Sequence, residues 1–147
     1  MLSVADEHNK KGLELYSSEN YKESIAEFDK AIKLNPKNYL SHNNKGAVYS
    51  KLKKYKKAID AFNRSIELNP QSVNSFNGKG NALYNMEKYK EAIKIYKKSL
   101  EIDSSNEKTY FNIGNAYANL KQYELSIEVI LEFIKIFQMS TLEQLNL

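Results

Sequence analysis

Apolar side chains return at helical spacing in separate stretches of the chain. Between Tyr21 and Leu34 they fall at Tyr21, Ile25, Phe28 and Ile32, with Lys22, Glu23, Asp29 and Lys30 between them. That is the stripe of an amphipathic helix, not the strict alternation of a half-buried strand. The same stripe restarts at Tyr55, Tyr89 and Tyr123, and each is preceded by a second helical pattern. The chain is thus predicted as four helix pairs. Their A helices run from about Val4 to Ser18, Tyr39 to Leu52, Val73 to Met86 and Glu107 to Leu120. Their B helices run from about Tyr21 to Leu34, Tyr55 to Leu68, Tyr89 to Ile102 and Tyr123 to Phe137. Ser3 is placed to cap the first helix, with Asp6 at the capping-box position. Asn35-Pro36 and Asn69-Pro70 end the first two B helices, because the residue before proline is pushed out of the α region. Asp103, Ser104 and Ser105 stand where a third Asn-Pro would be, which predicts a turn built from short polar residues.

The pairs are copies of one unit. Gly12, Gly46, Gly80 and Gly114 are spaced by 34 residues, and Tyr21, Tyr55, Tyr89 and Tyr123 keep the same step. So do Ile25, Ile59, Ile93 and Ile127, and the series Ile32, Ile66, Leu100 and Ile134. A 34-residue step with an early Gly, an aromatic at mid-unit and Asn-Pro at the end resembles the tetratricopeptide repeat over about residues 5 to 138. The resemblance implies an all-α fold, a right-handed superhelical solenoid of four helix-turn-helix units. It also implies a single domain over 1–147, with repeats at about 5–38, 39–72, 73–106 and 107–138 and a tail at 139–147. The function it implies is a non-catalytic scaffold or adaptor that holds a protein partner or an extended peptide segment in a concave groove lined by the A helices.

Each repeated position has a packing meaning of its own. A glycine inside a helix costs roughly 1 kcal/mol against alanine, so four of them in register imply a gain elsewhere. Twelve residues on stands Ser24, Ala58, Ala92 or Ser126, always small, and then Phe28, Phe62, Tyr96 or Ile130. A bare backbone facing a small side chain lets the two helices of a pair approach closely, with the larger residue filling the adjoining space. Lys11, Lys45 and Lys79 precede three of the glycines, and their stems are expected to lie on apolar surface with the amine in water. His8 and His42 share one repeat position with Phe76 and Tyr110, so they are expected to pack as flat rings at the helix interface.

Composition narrows the function classes. The 147 residues are 41% hydrophobic and 12% aromatic, as in a globular protein, and include no cysteine. Disulfides, thiolate metal sites and cysteine nucleophiles are thereby excluded. No apolar run reaches the length of a membrane span, and the opening residues lack a signal-peptide core, so a cytoplasmic protein without membrane contact is expected. A net charge of +4 gives only weak preference for acidic partners and none for nucleic acid. The basic run Lys51 to Lys57 is expected to be a solvated loop, since Tyr55 within it belongs to the repeat's core series. No enzyme is expected: no Gly-rich phosphate loop, third metal ligand or nucleophile accompanies the histidines, and Glu19, Glu23 and Glu27 read as surface solvation and helix pairing. No cofactor or metal is therefore expected.

Binding residues follow from the resemblance. Positions three before, two before and one after each Gly face the groove in similar proteins, and here they are rich in asparagine: Asn9, Asn43, Asn44, Asn77, Asn81, Asn112 and Asn115. Tyr84 lies beside them, as does Tyr16. An Asn amide donates and accepts at once, so a file of them suits the backbone of an extended peptide. Relatives that hold the C-terminal carboxylate of cytosolic chaperones use a five-residue Lys, Asn, Asn, Lys, Arg pattern. Counted from Gly12 this chain offers Asn9, Leu13, Asn44, Asn74 and Gly78. Counted from Gly46 it offers Asn43, Ala47, Gly78, Lys108 and Asn112. One of five matches in each register, so a chaperone terminus is disfavoured, because the paired cations are missing.

The fourth unit departs from the others. Its B helix is apolar around nearly its whole circumference, with Phe133 where Ala31, Ser65 and Ser99 stand earlier, and such a helix must be covered. Ser140 and Glu143 form a capping-box pattern, and Leu142, Leu145 and Leu147 supply an apolar side, which predicts a very short C-terminal capping helix. The alternatives are a longer natural chain, or a homodimer through Ile130, Phe133, Ile134 and Phe137. In that last case the protein is a self-assembly or architectural module.

Overall fold

A computed structural model describes residues 1–144. Among them are eight helices and no strand. In chain order these are α1 (Val4–Ser17), α2 (Tyr21–Leu34), α3 (Tyr39–Lys51), α4 (Tyr55–Leu68), α5 (Val73–Asn85), α6 (Tyr89–Ile102), α7 (Glu107–Asn119) and α8 (Tyr123–Gln144). Ser3 and Asp6 form the capping box of α1. Asn38, Ser72 and Asn106 cap the later A helices through side-chain oxygens that accept from backbone N–H groups. After α6, the Asp103 carboxylate accepts from the Ser105 N–H at 3.0 Å and makes the turn without proline.

Each A helix ends one residue before the sequence-based boundary. Ser18, Leu52, Met86 and Leu120 are cap residues, and the next residue in every unit, Glu19, Lys53, Glu87 or Lys121, has φ between 56° and 61°. Left-handed backbone at a residue with a Cβ costs roughly 1–2 kcal/mol. It is held here because the following N–H reaches back, as Lys88 N–H does to the Leu83 carbonyl at 3.0 Å.

Helices meet only their neighbours in the stack. Partners within a pair pack together, each B helix meets the next A helix, and consecutive A helices α1, α3, α5 and α7 also touch. Consecutive B helices do not. The A helices therefore line the tighter, concave side and the B helices splay over the convex side, as in a solenoid of repeats.

Glycine sets the distance within each pair. A Cβ built on Gly12 would lie 2.6 Å from the Phe28 ring, one on Gly46 2.8 Å from Phe62, and one on Gly80 2.4 Å from Tyr96. The ring, not the small residue, occupies the glycine's vacant place. The small residue has a separate role where it is serine: the Ser24 and Ser126 hydroxyls donate to the Gly12 and Gly114 carbonyls at 2.7 and 2.8 Å.

Three expectations are corrected. Glu27 is not a solvating surface group: it is 5% exposed and gathers His8 Nδ1 at 2.6 Å, Lys30 at 2.9 Å and Lys11 at 3.4 Å. His8 is accordingly a polar partner to that carboxylate, while Phe76 and Tyr110 at the same repeat position are buried rings. His42 donates from Nε2 to the Pro36 carbonyl at 3.1 Å, and burial lowers its pKa. Finally, no capping helix forms, because α8 continues unbroken past Ser140 to Gln144. The Thr141 hydroxyl donates to the Phe137 carbonyl inside that helix; Leu145 and Leu147 lie outside the described residues.

Two measurements test this packing. Gly80→Ala is expected to cost about 1–3 kcal/mol by forcing Tyr96 aside. Gly114→Ala meets only the tip of Ile130 at 3.2 Å and should be neutral, or stabilising by up to about 1 kcal/mol; denaturant titration of both variants distinguishes them. Hydrogen bonds from Lys30 and His8 hold the Glu27 carboxyl down at about 2, against an ordinary 4.5. A depressed carboxyl stabilises the fold above its unfolded value and stops doing so as pH falls through its folded value. Melting temperature should therefore drop as pH falls from about 4.5 toward about 2, and Glu27→Gln should be less stable at neutral pH with a flatter profile over that window.

Candidate functional site

The groove is built from the faces of α1, α3, α5 and α7 that carry the asparagines. Their spacing in sequence becomes a ladder in space. Asn9 Oδ1 accepts from the Ser41 hydroxyl, Asn43 Oδ1 from Ser75 and Asn77 Oδ1 from Thr109, each at 3.1 Å. All three hydroxyl residues are fully buried. Each of these asparagines thus fastens one A helix to the next, and its oxygen is already in use. The chain has Phe111 at the corresponding place in the fourth unit, where its ring packs 6.3 Å from that of Phe133.

A second set of bonds crosses the groove floor. The Asn44 amide donates to Asn9 Oδ1 at 3.2 Å, and the Asn112 amide donates to Asn81 Oδ1 at 3.1 Å. Asn81 Oδ1 also accepts from the Tyr96 hydroxyl at 2.6 Å. Burial pushes the Tyr96 phenol well above its usual range, so it remains a neutral donor. Asn119 donates to the Tyr84 hydroxyl at 2.8 Å. Asn115 is exposed.

Two depressions open along this floor. One, of about 260 Å³, has Phe62, Ala47 and Gly78 at its base and Asn43, Asn77, Asn81 and Asn112 among its walls. It exists because residue 78 is glycine: a Cβ there would lie 2.4 Å from the Phe62 ring, whereas Asn44 and Asn112 hold that position in the second and fourth units. The other, of about 220 Å³, joins Asn81, Tyr84, Asn112 and Asn115. Asn9 and Asn44 pair with each other at the N-terminal end and line neither. Asn74, Asn106 and Lys108 also wall the larger depression. Asn106 has no place in the sequence-based set, since its capping role gives no sign that it also faces the groove.

The residues picked for self-association divide. Ile130 and Phe133 are half-buried against the core around Tyr110 and Ile113, and Phe133 lies 5.5 Å from the Tyr110 ring. Ile134 and Phe137 are exposed, and so are Ile127 and Leu131. Ile93 shows why: it is 6% exposed beneath α7, whereas its counterpart Ile127 is 60% exposed with no A helix over it. No helix of the described residues is long and apolar enough to cross a membrane, and among them no three metal-ligating side chains converge.

Comparison with known proteins agrees with this geometry. Sequence models described as tetratricopeptide repeat match residues 39–72, 61–94 and 107–138, and one described as TPR repeat matches 12–53 and 80–121. No curated protein matches in sequence. Among solved structures, MamA superposes with a TM-score of 0.86 at 19% identity, over 94% of this chain and 81% of that one. MamA from Desulfovibrio magneticus RS-1, from residue 41 to its end, gives 0.83 at 21%, over 92% and 76%. The first TPR domain of human RPAP3 gives 0.78 at 25%, over 84% and 97%. The first TPR of Spaghetti (RPAP3) bound to the HSP90 peptide SRMEEVD gives 0.77 at 25%, over 80% and 93%.

The ladder separates two kinds of groove asparagine. Asn9→Ala should cost about 1–2 kcal/mol by depriving the buried Ser41 hydroxyl of its one side-chain acceptor among the described residues. Asn115→Ala should leave thermal stability within about 0.5 kcal/mol of wild type. Equal melting curves for the two variants would contradict the ladder.

Proposed function

The chain belongs to the tetratricopeptide repeat family, and from that premise we propose that its groove holds an extended segment of a partner protein, as a non-catalytic adaptor. The fold is that of a protein-interaction scaffold. What carries the finer reading is the depression beside Phe62, walled in part by Asn43, Asn77 and Asn81, whose side-chain oxygens are occupied internally. Asn43, Asn77 and Asn81 have no internal use for their N–H₂ groups among the described residues, which leaves donors for the carbonyls of a peptide backbone. The depression at Gly78 adds room for one side chain. Ala47 and Gly78 stand where the chaperone-binding pattern has polar or charged groups, and Lys108 is the lone matching cation. A neutral or weakly acidic segment is therefore favoured over a free carboxylate terminus.

A second reading rests on α8. Ile127, Leu131 and Ile134 form an uncovered stripe on its outer face, and Leu131 stands where Asp29, Asn63 and Lys97 are polar in the other units. Two copies pairing along this stripe would cover it, making the protein a self-assembling module.

Recovery of partners from source-cell lysate tests both readings. Asn74, Lys108 and Asn115 line the groove without internal side-chain hydrogen bonds among the described residues, so their triple replacement by Ala should abolish specific recovery without lowering the melting temperature. The peptide SRMEEVD should give no heat in calorimetry. Leu131→Lys with Ile134→Lys should reduce a dimeric mass to a monomeric one in light scattering if α8 pairs copies. Loss of partners with the α8 variant alone would favour the second reading over the first.

A further inference from the structure

The convex side carries a surface that the groove does not use. Between α4 and α6, which do not touch, lies a cleft of about 640 Å³. It is lined by Leu83 of α5 and its cap residue Met86, with Ile59 and Ile95 beside them, and Leu83 lies on the opposite face of α5 from Asn77 and Asn81. Its rim is basic: Lys56, Lys79, Lys88 and Lys94 stand against Asp60 and Glu91. Glu91 is already paired with Lys88 at 3.3 Å. Lys56 and Met86 also border an adjoining hollow of about 430 Å³ lined by Lys53, Lys54 and Lys57. The basic run that the sequence presents as a solvated loop thus continues the edge of an apolar cleft.

Lys79 is the member of its repeat series that makes no salt bridge among the described residues. The Lys11 amine meets Glu27 at 3.4 Å, and the Lys45 amine meets Asp29 of the preceding unit at 2.5 Å. One unit further on, the position of Asp29 is held by Asn63, which has no charge. Lys79 is half-buried, and desolvation lowers its pKa by more than the charge of Glu91 across the cleft raises it. A partly dehydrated cation at the edge of an oily floor is costly to leave unpaired.

We propose that this cleft binds an acidic amphipathic segment of a partner protein, with its apolar side chains on Leu83, Met86 and Ile95 and its carboxylates against Lys79 and Lys56. The two surfaces are complementary in charge and in polarity along one strip, which is how an amphipathic helix seats in a groove. A nucleic-acid backbone would gain nothing from the apolar floor. Tyr55, the aromatic within the basic run, is half-buried against the core around Phe62 and also lines the adjoining hollow, so a single-stranded oligonucleotide is the competitor that the test includes.

The test uses a fluorescein-labelled synthetic helical peptide with leucines on one face and glutamates on the other, titrated with the whole chain and read by anisotropy. Lys79→Glu is expected to weaken binding by about tenfold or more, and Met86→Glu by a similar factor. Lys37→Glu, which changes net charge equally far from the cleft, should leave it unchanged. Lys79→Met, which keeps the stem, serves if Lys79→Glu fails to fold as judged by circular dichroism, and should also weaken binding. The proposal is overturned if the peptide does not bind the wild type, if the Lys79 variants bind as wild type does, or if Lys37→Glu weakens binding as much. It is equally overturned if a leucine-to-serine peptide or a single-stranded oligonucleotide binds as tightly.

Discussion

The contact on which the stack depends is that of a B-helix ring laid on the bare backbone of an A helix. At Gly12, Gly46 and Gly80 the ring occupies the volume a methyl group would need. Phe28, Phe62 and Tyr96 are thereby removed almost wholly from water. Burying a side chain of that size is worth about 1.5–3 kcal/mol, which exceeds the roughly 1 kcal/mol that a mid-helix glycine costs. The close approach also fixes the angle at which each pair presents its flanks to the next. In the fourth unit Ile130 replaces the ring, the fit at Gly114 is looser, and the B helix runs on past the length of the other three.

Between pairs the join is polar as well as apolar. A buried hydroxyl on α3, α5 and α7 donates to the asparagine of the A helix before it. For Ser41 this is its one side-chain hydrogen bond among the described residues, so losing it would be expensive; Ser75 also meets Ser65 and Ser72, and Thr109 also meets Asn106, so there the bond adds to a shared network. Of Asn9, Asn43 and Asn77, the last two also line the larger depression of the groove. Asn43, Asn77 and Asn81 thus serve the packing of the stack while lining the groove, whereas Asn74, Asn115 and Lys108 line it without internal side-chain hydrogen bonds among the described residues.

The two sides of the molecule differ in electrostatic character. The depressions on the concave side are lined mainly by amides, with Lys108 the one charged side chain among the lining residues. On the convex side the repeat places a lysine before each of the first three glycines, and neutralises it with Glu27 and then Asp29. The series breaks at Asn63, and the unpaired Lys79 falls beside the apolar cleft between α4 and α6. A solenoid allows this because each unit answers only to its neighbours, so a single substitution alters one site without disturbing the next.

Helix type, pairing and repeat length were legible in the residues, because a periodic apolar stripe, an Asn-Pro stop and a recurring glycine are local signals whose meaning does not depend on distant chain. Gly12, Gly46 and Gly80 could be read as points of close approach on the same ground, but the residue expected opposite each is the small one, and it is the ring that lies there. Tertiary structure alone decided what pairs of residues one unit apart would do. The bond from Ser75 to Asn43, the burial of Glu27 beneath His8 and Lys11, and the depression over Phe62 at Gly78 all join side chains from different helices, and no local pattern encodes such distances. The end of α8 was settled in the same way: Ser140 and Glu143 have the composition of a cap, but with no turn to break the preceding hydrogen bonds the backbone stayed helical through both.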